Sequence, residues 1–302
     1  MRSFWGRSRP TIGLVGAGEM GSAVGAAYAA GGARVVTSLA GRSDRTRRFV
    51  ATAGLEVLSD LDAVVRAADV MLSIVPPEHA LRVASDLAAA ARRTGATPLV
   101  GDLNAISPQT VHALAELLAG DGLELVDGSI SGGPPRPEGS TRLYLAGPRA
   151  RELAVLPAAG LDARIAGEEV GAASAVKMCT ASVYKGTVGL LAHALATAHA
   201  NGVLEQVLDD LRGSDPKLVE QAPASIARAG AKSRRYVAEM REIAATQAAA
   251  GLPSALFEGF AATYGFLAET PLVQVPPEAI DVATTIESVL ERLLRPPLPR
   301  PP

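Results

Sequence analysis

Short runs of β-branched and aliphatic residues alternate with alanine-rich stretches from Thr11 to about Ala146. Strands are expected at Thr11–Val15, Arg34–Ser38, Val70–Val75, Pro98–Asp102, Leu123–Asp127 and Arg142–Ala146. Helices are expected at Met20–Ala30, Asp44–Ala53, Leu61–Ala67, Glu78–Ala91 and Pro108–Leu118. Because parallel neighbours need crossover connections, which helices supply, this alternation predicts a mostly parallel sheet covered by helices on both faces.

The strand pattern fades after about Ala166, and the rest of the chain has a helical pattern. One long helix is expected at Gly171–Gly202. Further helices are expected at Val203–Leu211, Asp215–Ala229, Arg234–Ala250, Ser254–Glu269 and Pro277–Leu294. We therefore predict a first domain over residues 1–166 and an all-α domain over residues 167–294. Residues 295–302 are mostly proline and predict a disordered or extended tail.

Composition excludes several classes of function. The 302 residues carry a net charge of −2, which gives no reason to expect a nucleic-acid or membrane partner. The single cysteine, Cys179, excludes an internal disulfide and a cysteine-built metal cluster, and the four histidines lack metal-ligand spacing, so no metal is expected. No signal peptide or membrane span is apparent, and a cytoplasmic location is the expectation.

A glycine-rich turn directly follows the first predicted strand. It reads Gly16-Ala17-Gly18-Glu19-Met20-Gly21 and opens the first predicted helix. Gly16 permits a tight turn, Gly18 lets the backbone approach a pyrophosphate, and Gly21 allows close packing of helix on strand. Glycine turns also exist for packing alone, but at the start of a parallel sheet this one predicts a Rossmann-type dinucleotide-binding domain.

The end of the second predicted strand bears on the choice between NAD and NADP. An acid there would bond the ribose hydroxyls of NAD, whereas a basic group would bind the extra phosphate of NADP. No acid occupies this place, and Arg42 and Ser43 offer a guanidinium and a hydroxyl. The alternative is that Arg42 belongs to a solvated helix end with Arg45, Arg47 and Arg48. We expect NADPH to be preferred over NADH.

Four segments occur in a fixed order, and a predicted helix with Gly171 and Lys177 follows them. The segments are Gly16–Gly21, Ser73–Pro77, Asp102–Pro108 and Asp127–Gly133. In this order they resemble the β-hydroxyacid dehydrogenase family, which includes 3-hydroxyisobutyrate dehydrogenase, phosphogluconate dehydrogenase and, more distantly, the imine reductases. The run Arg234–Pro253 looks like a branch with a phosphogluconate-dehydrogenase-like C-terminal domain of unknown substrate.

The resemblance covers almost the whole chain and implies a Rossmann-type domain joined by a long interdomain helix to the all-α domain. It implies hydride transfer between a nicotinamide cofactor and a small carbonyl or hydroxy compound, expected to be a carboxylate. The substrate is expected in the cleft between the domains. A homodimer formed through the helical domain is also expected, as in relatives.

The resemblance assigns a substrate carboxylate to Ser131, Gly132 and Gly133. A hydroxyl beside unobstructed glycine amides suits an anion, although the segment could be a loop that only joins two strands. Asn104 follows a strand end, where ligands bind in open α/β sheets, and is expected near the nicotinamide or the substrate. A turn or cap role for Asn104 is equally open. Val75 and Pro76, after an earlier strand, are also expected to contact the cofactor.

Lys177 is the residue predicted to carry the chemistry. Reduction of a carbonyl by hydride requires a proton for the developing alkoxide, and oxidation requires a base to remove it. A lysine in an apolar helix is desolvated, which is expected to lower its pKa. The resemblance places the family's catalytic lysine at this position. The alternative is a lysine that extends its ammonium group to solvent.

Four residues follow Lys177 near the same side of its helix: Thr180, Ala181, Tyr184 and Lys185. Related hydroxyacid dehydrogenases carry asparagine where this chain has Ala181, and phosphogluconate dehydrogenase carries a carboxylate where it has Tyr184. The usual small hydroxyacid is therefore in doubt, and phosphogluconate is disfavoured. Thr180 and Lys185 are expected to contact substrate and Tyr184 to supply a proton, although packing or surface roles for Tyr184 and Lys185 are equally open.

Two rival functions remain open from the sequence. An imine reductase would deliver hydride to a C=N carbon, but such relatives usually lack the lysine at position 177. A non-catalytic NADPH-binding sensor is the more distant rival. Two further side chains are assigned structural roles: Cys179 is expected to be a small buried hydrophobe, and Glu239 to lie at a solvated face or an interface.

Overall fold

The computed structural model of the chain describes residues 9–139, 141–281 and 283–295. The chain divides into two compact units, the first ending at Met178 and the second beginning at Cys179. The expected proline-rich tail lies outside the described residues beyond Arg295.

The first unit is built on an eight-stranded sheet with the order β3-β2-β1-β4-β5-β6-β7-β8. Its strands are β1 Thr11–Val15, β2 Arg34–Ser38, β3 Glu56–Leu58, β4 Val70–Ser73, β5 Leu99–Asp102, β6 Leu125–Ser131, β7 Thr141–Ala146 and β8 Leu161–Gly167. Among these described strands, only β6 and β7 pair antiparallel. The mostly parallel sheet is confirmed, and its strand order reverses between β1 and β4, where ligands bind in such folds.

Helices of the first unit cover both faces of the sheet. They are α1 Glu19–Ala30, α2 Asp44–Thr52, α3 Leu61–Ala67, α4 Ala80–Thr94, α5 Pro108–Ala119 and α6 Ala150–Ala154. Leu14 of β1 lies in one buried apolar cluster with Tyr28 of α1. Met71 of β4 lies in a second cluster with Leu87 of α4 and Leu114 of α5. The central strands of the sheet are therefore buried on both sides, as their aliphatic residues require.

The long predicted helix is present as α7, Ala172–Ala200, which passes from the first unit into the second. The helices that follow are α8 Leu204–Ser214, α9 Pro216–Ala231, α10 Ser233–Ala249, α11 Ala255–Leu267 and α12 Ile286–Leu294. The predicted change from an α/β to an all-α architecture is confirmed.

Several predicted boundaries are corrected. The half-exposed strands β3 and β8 were not predicted, because each lies at a sheet edge and lacks a clear apolar alternation. The helix predicted over Pro277–Leu294 is wrong before Ile286, where the chain forms a short 3-10 helix at Pro277–Ala279. The first compact unit runs past residue 166, because the first turns of α7 bond to β6.

Across the described residues, no helix combines the length and the apolar character needed to span a bilayer.

Candidate active site

The glycine turn between β1 and α1 has two closed positions and one open one. A Cβ at Gly16 would lie 2.1 Å from the Ile74 carbonyl oxygen, and its φ of +86° also favours glycine. A Cβ at Gly21 would lie 2.1 Å from the Gly16 carbonyl oxygen. In contrast, a Cβ at Gly18 would meet no heavy atom within 4 Å. Gly16 and Gly21 therefore shape the turn, and Gly18 leaves space above it.

This turn fits the pyrophosphate of a dinucleotide. Gly18 is the N-cap of α1, and it has no side chain to cap the first amides of the helix. Those amides and the helix dipole suit an anion, which the bare Gly18 backbone could approach closely. Ala17 is buried, and Glu19 and Met20 are half-buried in the first turn of the helix.

The segment after β2 places Arg42 and Ser43 at the start of α2. Both residues are exposed. The Ser43 hydroxyl caps α2 by accepting a hydrogen bond from the Thr46 amide at 3.3 Å, and Asp44 lies in the first helical turn, as expected. Arg47 donates to the Leu39 carbonyl oxygen at 3.1 Å. Arg42 and Ser43 are therefore both exposed at the start of α2, and the Ser43 hydroxyl serves the helix as its N-cap.

A buried polar network joins the ends of β4 and β5. Asn104 is 2% exposed. Its side-chain amide donates to Ser73 Oγ at 3.0 Å and to Asp102 Oδ2 at 2.6 Å. Its Oδ1 accepts from the Val75 amide at 2.6 Å. Asn104 therefore fixes the segment in which Val75 and Pro76 lie, and the structure supports the turn role that the sequence left open for it.

Asp102 is the charged member of this network. Burial raises the pKa of Asp102 to about 7, the hydrogen bond from the Asn104 amide opposes that rise, and the charge of Asp127 on the neighbouring strand adds to it. Ser73, the last residue of β4, lies beside Asp102, the last residue of β5, and Asp102 lies beside Asp127 within β6. Two buried acids therefore lie on neighbouring strands of the sheet.

The raised pKa of Asp102 predicts a pH-dependent stability. Because the folded state binds this proton more tightly than the unfolded chain, the contribution of Asp102 to stability falls as pH rises from about 4 to about 7. The whole effect is at most about 4 kcal/mol. Asp102→Asn should therefore give a flatter curve of unfolding free energy between pH 5 and 8 in urea titrations.

The slope of that curve, and not its height, is the readout, since the amide also changes the hydrogen bonds to Asn104. Asp60→Asn is the matched control, because a backbone hydrogen bond from Ala63 holds the pKa of Asp60 below its usual value. That control should have the slope of the wild type. Parallel curves for the wild type and Asp102→Asn would contradict the prediction.

Asp127 of β6 holds the start of α7. Its Oδ2 accepts from the amides of Gly171, Ala173 and Ser174 at 2.9, 2.9 and 3.1 Å, and its Oδ1 accepts from Ser174 Oγ at 2.6 Å. Its side chain is 0% exposed. Burial raises the pKa of Asp127, and the hydrogen bonds from the helix oppose that rise. The carboxylate thus caps the helix from a different element of the chain.

Lys177 lies two turns into α7 and contacts the same strand. Its Nζ donates to the Ile130 carbonyl oxygen at 2.6 Å, and its side chain is half-buried. Ile130 immediately precedes Ser131, the last residue of β6. The structure therefore brings the predicted lysine to the first peptide of the predicted anion-binding segment.

That segment, Ser131-Gly132-Gly133, leaves the sheet at the carboxyl end of β6. Gly132 has a φ of +124°, which favours glycine, and a Cβ at Gly133 would meet nothing within 4 Å. Thr141 Oγ1 of β7 donates to the Gly133 carbonyl oxygen at 2.9 Å. Both glycines are exposed. The turn is thus anchored at its end and leaves open space beside its backbone.

The predicted site residues that follow Lys177 differ in exposure and in their partners. Tyr184 is 65% exposed, and Thr180 is half-buried. Lys185 forms an ion pair with Glu239 of α10, and its Nζ lies 4.4 Å from the centre of the Tyr236 ring. The expectation of a solvated or interfacial Glu239 is wrong for this chain, since Glu239 is 3% exposed and pairs with Lys185 and Arg235.

Cys179 is exposed, so the expectation of a small buried hydrophobe is also wrong. Sequence reasoning gave no role to Asp102, Asp127, Ser129 or Ser174. One signal could have indicated the two acids: each ends an apolar run that was itself predicted as a strand. An acid in that place must be buried, and therefore hydrogen-bonded, once the strand lies within a covered sheet.

Comparison with known proteins agrees with this geometry. Residues 11–158 match the NAD binding domain of 6-phosphogluconate dehydrogenase, and residues 198–267 match a domain of unknown function, DUF1932. A 3-hydroxyisobutyrate dehydrogenase of Pseudomonas aeruginosa is 31% identical over 155 residues, which is 46% of this chain and 52% of that protein.

Solved structures share the fold across most of the chain. The conserved protein MTH1747 of unknown function, described as similar in structure to 3-hydroxyacid dehydrogenases, is 28% identical with a TM-score of 0.62, covering 85% of this chain and 96% of its own. The Mycobacterium tuberculosis 3-hydroxyisobutyrate dehydrogenase is 21% identical with a TM-score of 0.67, covering 95% and 99%. Imine reductases share the fold at 18–20% identity.

The fold and the glycine turn define an NAD(P)-dependent oxidoreductase. Within that class, the matched domains and the relatives support the β-hydroxyacid dehydrogenase family. The resemblance seen in the sequence is thereby confirmed.

Proposed function

We propose that the protein uses NADPH to interconvert a small carbonyl compound and its hydroxy form, that the substrate carries a carboxylate, and that Lys177 is the general acid and base. One observation carries the proposal: Lys177 Nζ lies 2.6 Å from the carbonyl oxygen of Ile130, beside Ser131. The proton-transfer group and the anion-binding backbone are thus adjacent within one compact unit.

Each part of the proposed site has one task. The bound cofactor supplies or accepts the hydride. The hydroxyl of Ser131 and the amides of the two glycines bind the carboxylate, since backbone amides in such a turn form an anion site. The Lys177 amine protonates the developing alkoxide during reduction and removes that proton during oxidation. Asn104 acts by holding the Val75 segment and not by touching the substrate.

The residues that follow Lys177 limit the range of possible substrates. Ala181 offers no amide where related hydroxyacid dehydrogenases carry asparagine, and Tyr184 offers no carboxylate. Lys185 is engaged by Glu239, which favours a packing role for it. We propose that the substrate is neither phosphogluconate nor the usual small hydroxyacid, but a carbonyl compound whose non-carboxylate end requires no amide contact.

A substrate panel tests the proposed reaction. Aldehydes, β-keto acids and cyclic imines would be assayed by loss of NADPH absorbance, and β-hydroxyacids by its gain from NADP⁺. The proposal expects turnover of a carboxylate-bearing carbonyl or hydroxy compound. Turnover of imines alone would favour an imine reductase, and tight NADPH binding without turnover of any compound would favour a sensor.

The preference for NADPH rests on Arg42. Removing a guanidinium that bonds a phosphate costs about 1.5–3 kcal/mol, so Arg42→Ala should weaken NADPH binding by at least about tenfold. NADH binding should stay unchanged, because NADH lacks that phosphate. Kd values from NADPH and NADH fluorescence titrations measure both effects, with Arg82→Ala on α4 as a control for lost charge. An equal loss for both cofactors would contradict this assignment.

The expected homodimer stays a prediction. Its support in the second unit is a set of exposed apolar side chains on α7 and α11: Val183 at 65%, Leu190 at 63%, Leu256 at 61% and Phe266 at 50% exposed. Large apolar and aromatic side chains are enriched at the centres of protein interfaces.

A further inference from the structure

Six hydrogen bonds, made by three side chains, connect β6 to the start and the first two turns of α7. Asp127 binds the amides at the start of the helix, Ser129 Oγ donates to the Ala173 carbonyl oxygen at 2.8 Å, and Lys177 donates to the Ile130 carbonyl oxygen. The contacts occur in the same order along β6 and along α7. They therefore fix the position of the helix along the strand. The amine of Lys177 is the last contact in this series.

Asp127 makes the most hydrogen bonds of these three side chains. A carboxylate that accepts three amide hydrogen bonds and one hydroxyl hydrogen bond fixes both the height and the rotation of a helix terminus. A Ser or Asn at the N-cap position of the helix itself would fix only the local backbone there. Because Asp127 lies three residues before Ile130 on the same strand, it positions the helix directly against the carbonyl that Lys177 contacts.

We propose that Asp127 is a positioning residue for Lys177, and that it sets the place of the amine beside the Ser131-Gly132-Gly133 turn by capping α7 from β6. The proposal rests on the proposed function insofar as Lys177 transfers the proton. The placement of the amine is a property of the fold and can be measured separately.

Kinetics give the first test. Asp127→Ala should lower kcat at least about thirtyfold, with the Kd for NADPH changed less than threefold, since the glycine turn is untouched. Asp127→Asn should restore kcat to within about threefold, because its carbonyl oxygen can accept from the three amides while its amide donates to Ser174 Oγ. Asp60→Ala, which removes the side-chain cap of α3, is the matched control and should leave kcat unchanged.

A double-mutant cycle separates positioning from general damage. In the Lys177→Ala background, Asp127→Ala should cause no further loss of kcat, because the group that it places is already absent. An equal loss in both backgrounds would overturn the proposal, as would a kcat within threefold of wild type for Asp127→Ala alone. If Asp127→Ala does not fold, Asp127→Ser gives the same comparison with a side chain too short to reach all three amides.

Trace labelling with acetic anhydride gives a readout that does not depend on activity. Labelling at Lys177 relative to the exposed Lys217 would be measured by peptide mass spectrometry. Asp127→Ala should raise this ratio at least threefold, whereas Asp127→Asn should not change it. Unchanged ratios would overturn the positioning role. A raised ratio in a protein that turns over no substrate would leave the positioning role standing and reject the proposed reaction.

Discussion

Lys177→Ala should lower kcat by about 10²- to 10⁴-fold, the usual contribution of a positioned general acid or base. The Kd for NADPH should change less than threefold, because no atom of Lys177 belongs to the turn between β1 and α1. The expected loss therefore lies in the chemical step and not in cofactor binding. Stopped-flow measurement of NADPH consumption with the best substrate of the panel, together with fluorescence titration of NADPH, checks both parts.

Two further variants make the result specific. Lys177→Met keeps the length and apolar stem of the side chain but not the amine, so its loss of kcat should match that of the alanine variant. Lys217→Ala removes an exposed lysine from α9 and should have wild-type kcat. A kcat for Lys177→Met close to wild type would exclude the amine as the proton-transfer group and leave only the cofactor-binding assignment.

The order of strands and helices could be predicted because it depends on local patterns. The aliphatic runs at Thr11–Val15 and Arg34–Ser38 have the observed bounds, and the glycine turn is placed as its residue types require. The edge strands could not be predicted from a pattern. Leu161–Gly167 is a strand because it pairs with β7, and its exposed side chains leave no apolar periodicity to detect.

The candidate site was predictable as a set of residues but not as a set of contacts. Lys177 and Ser131 are separated by 46 positions, and only the pairing of β6 with the start of α7 brings them together. The same pairing explains Asp127, whose partners lie more than 40 residues further along the chain. For Asn104 the sequence identifies the residue but not its role. Its side chain could equally bind a ligand or the backbone, and its hydrogen bond with the Val75 amide favours the backbone.

Gly18→Val should abolish most NADPH binding without unfolding the protein. The Gly18 backbone has φ −71° and ψ −162°, a conformation open to any L-residue. A Cβ there would meet no heavy atom within 4 Å. The variant should therefore keep the Tm of the wild type to within a few degrees.

The same open space is where the proposed pyrophosphate must approach the backbone. A branched side chain in that space should cost the bound state about 3 kcal/mol, which corresponds to a Kd for NADPH raised about 100-fold. Fluorescence titration measures this change, and Gly18→Ala should give a smaller one.

Two glycine controls separate cofactor binding from stability. Gly16→Ala should lower Tm strongly, because its Cβ would lie 2.1 Å from a carbonyl oxygen at a φ of +86°. Gly259→Val on α11 fills another open position and should leave the Kd for NADPH unchanged. If Gly18→Val bound NADPH as tightly as the wild type, the turn would not be the pyrophosphate site, and the cofactor would have to bind elsewhere on the sheet edge. If Gly18→Val lost stability as Gly16→Ala does, the conclusion that the space at Gly18 is open would be wrong.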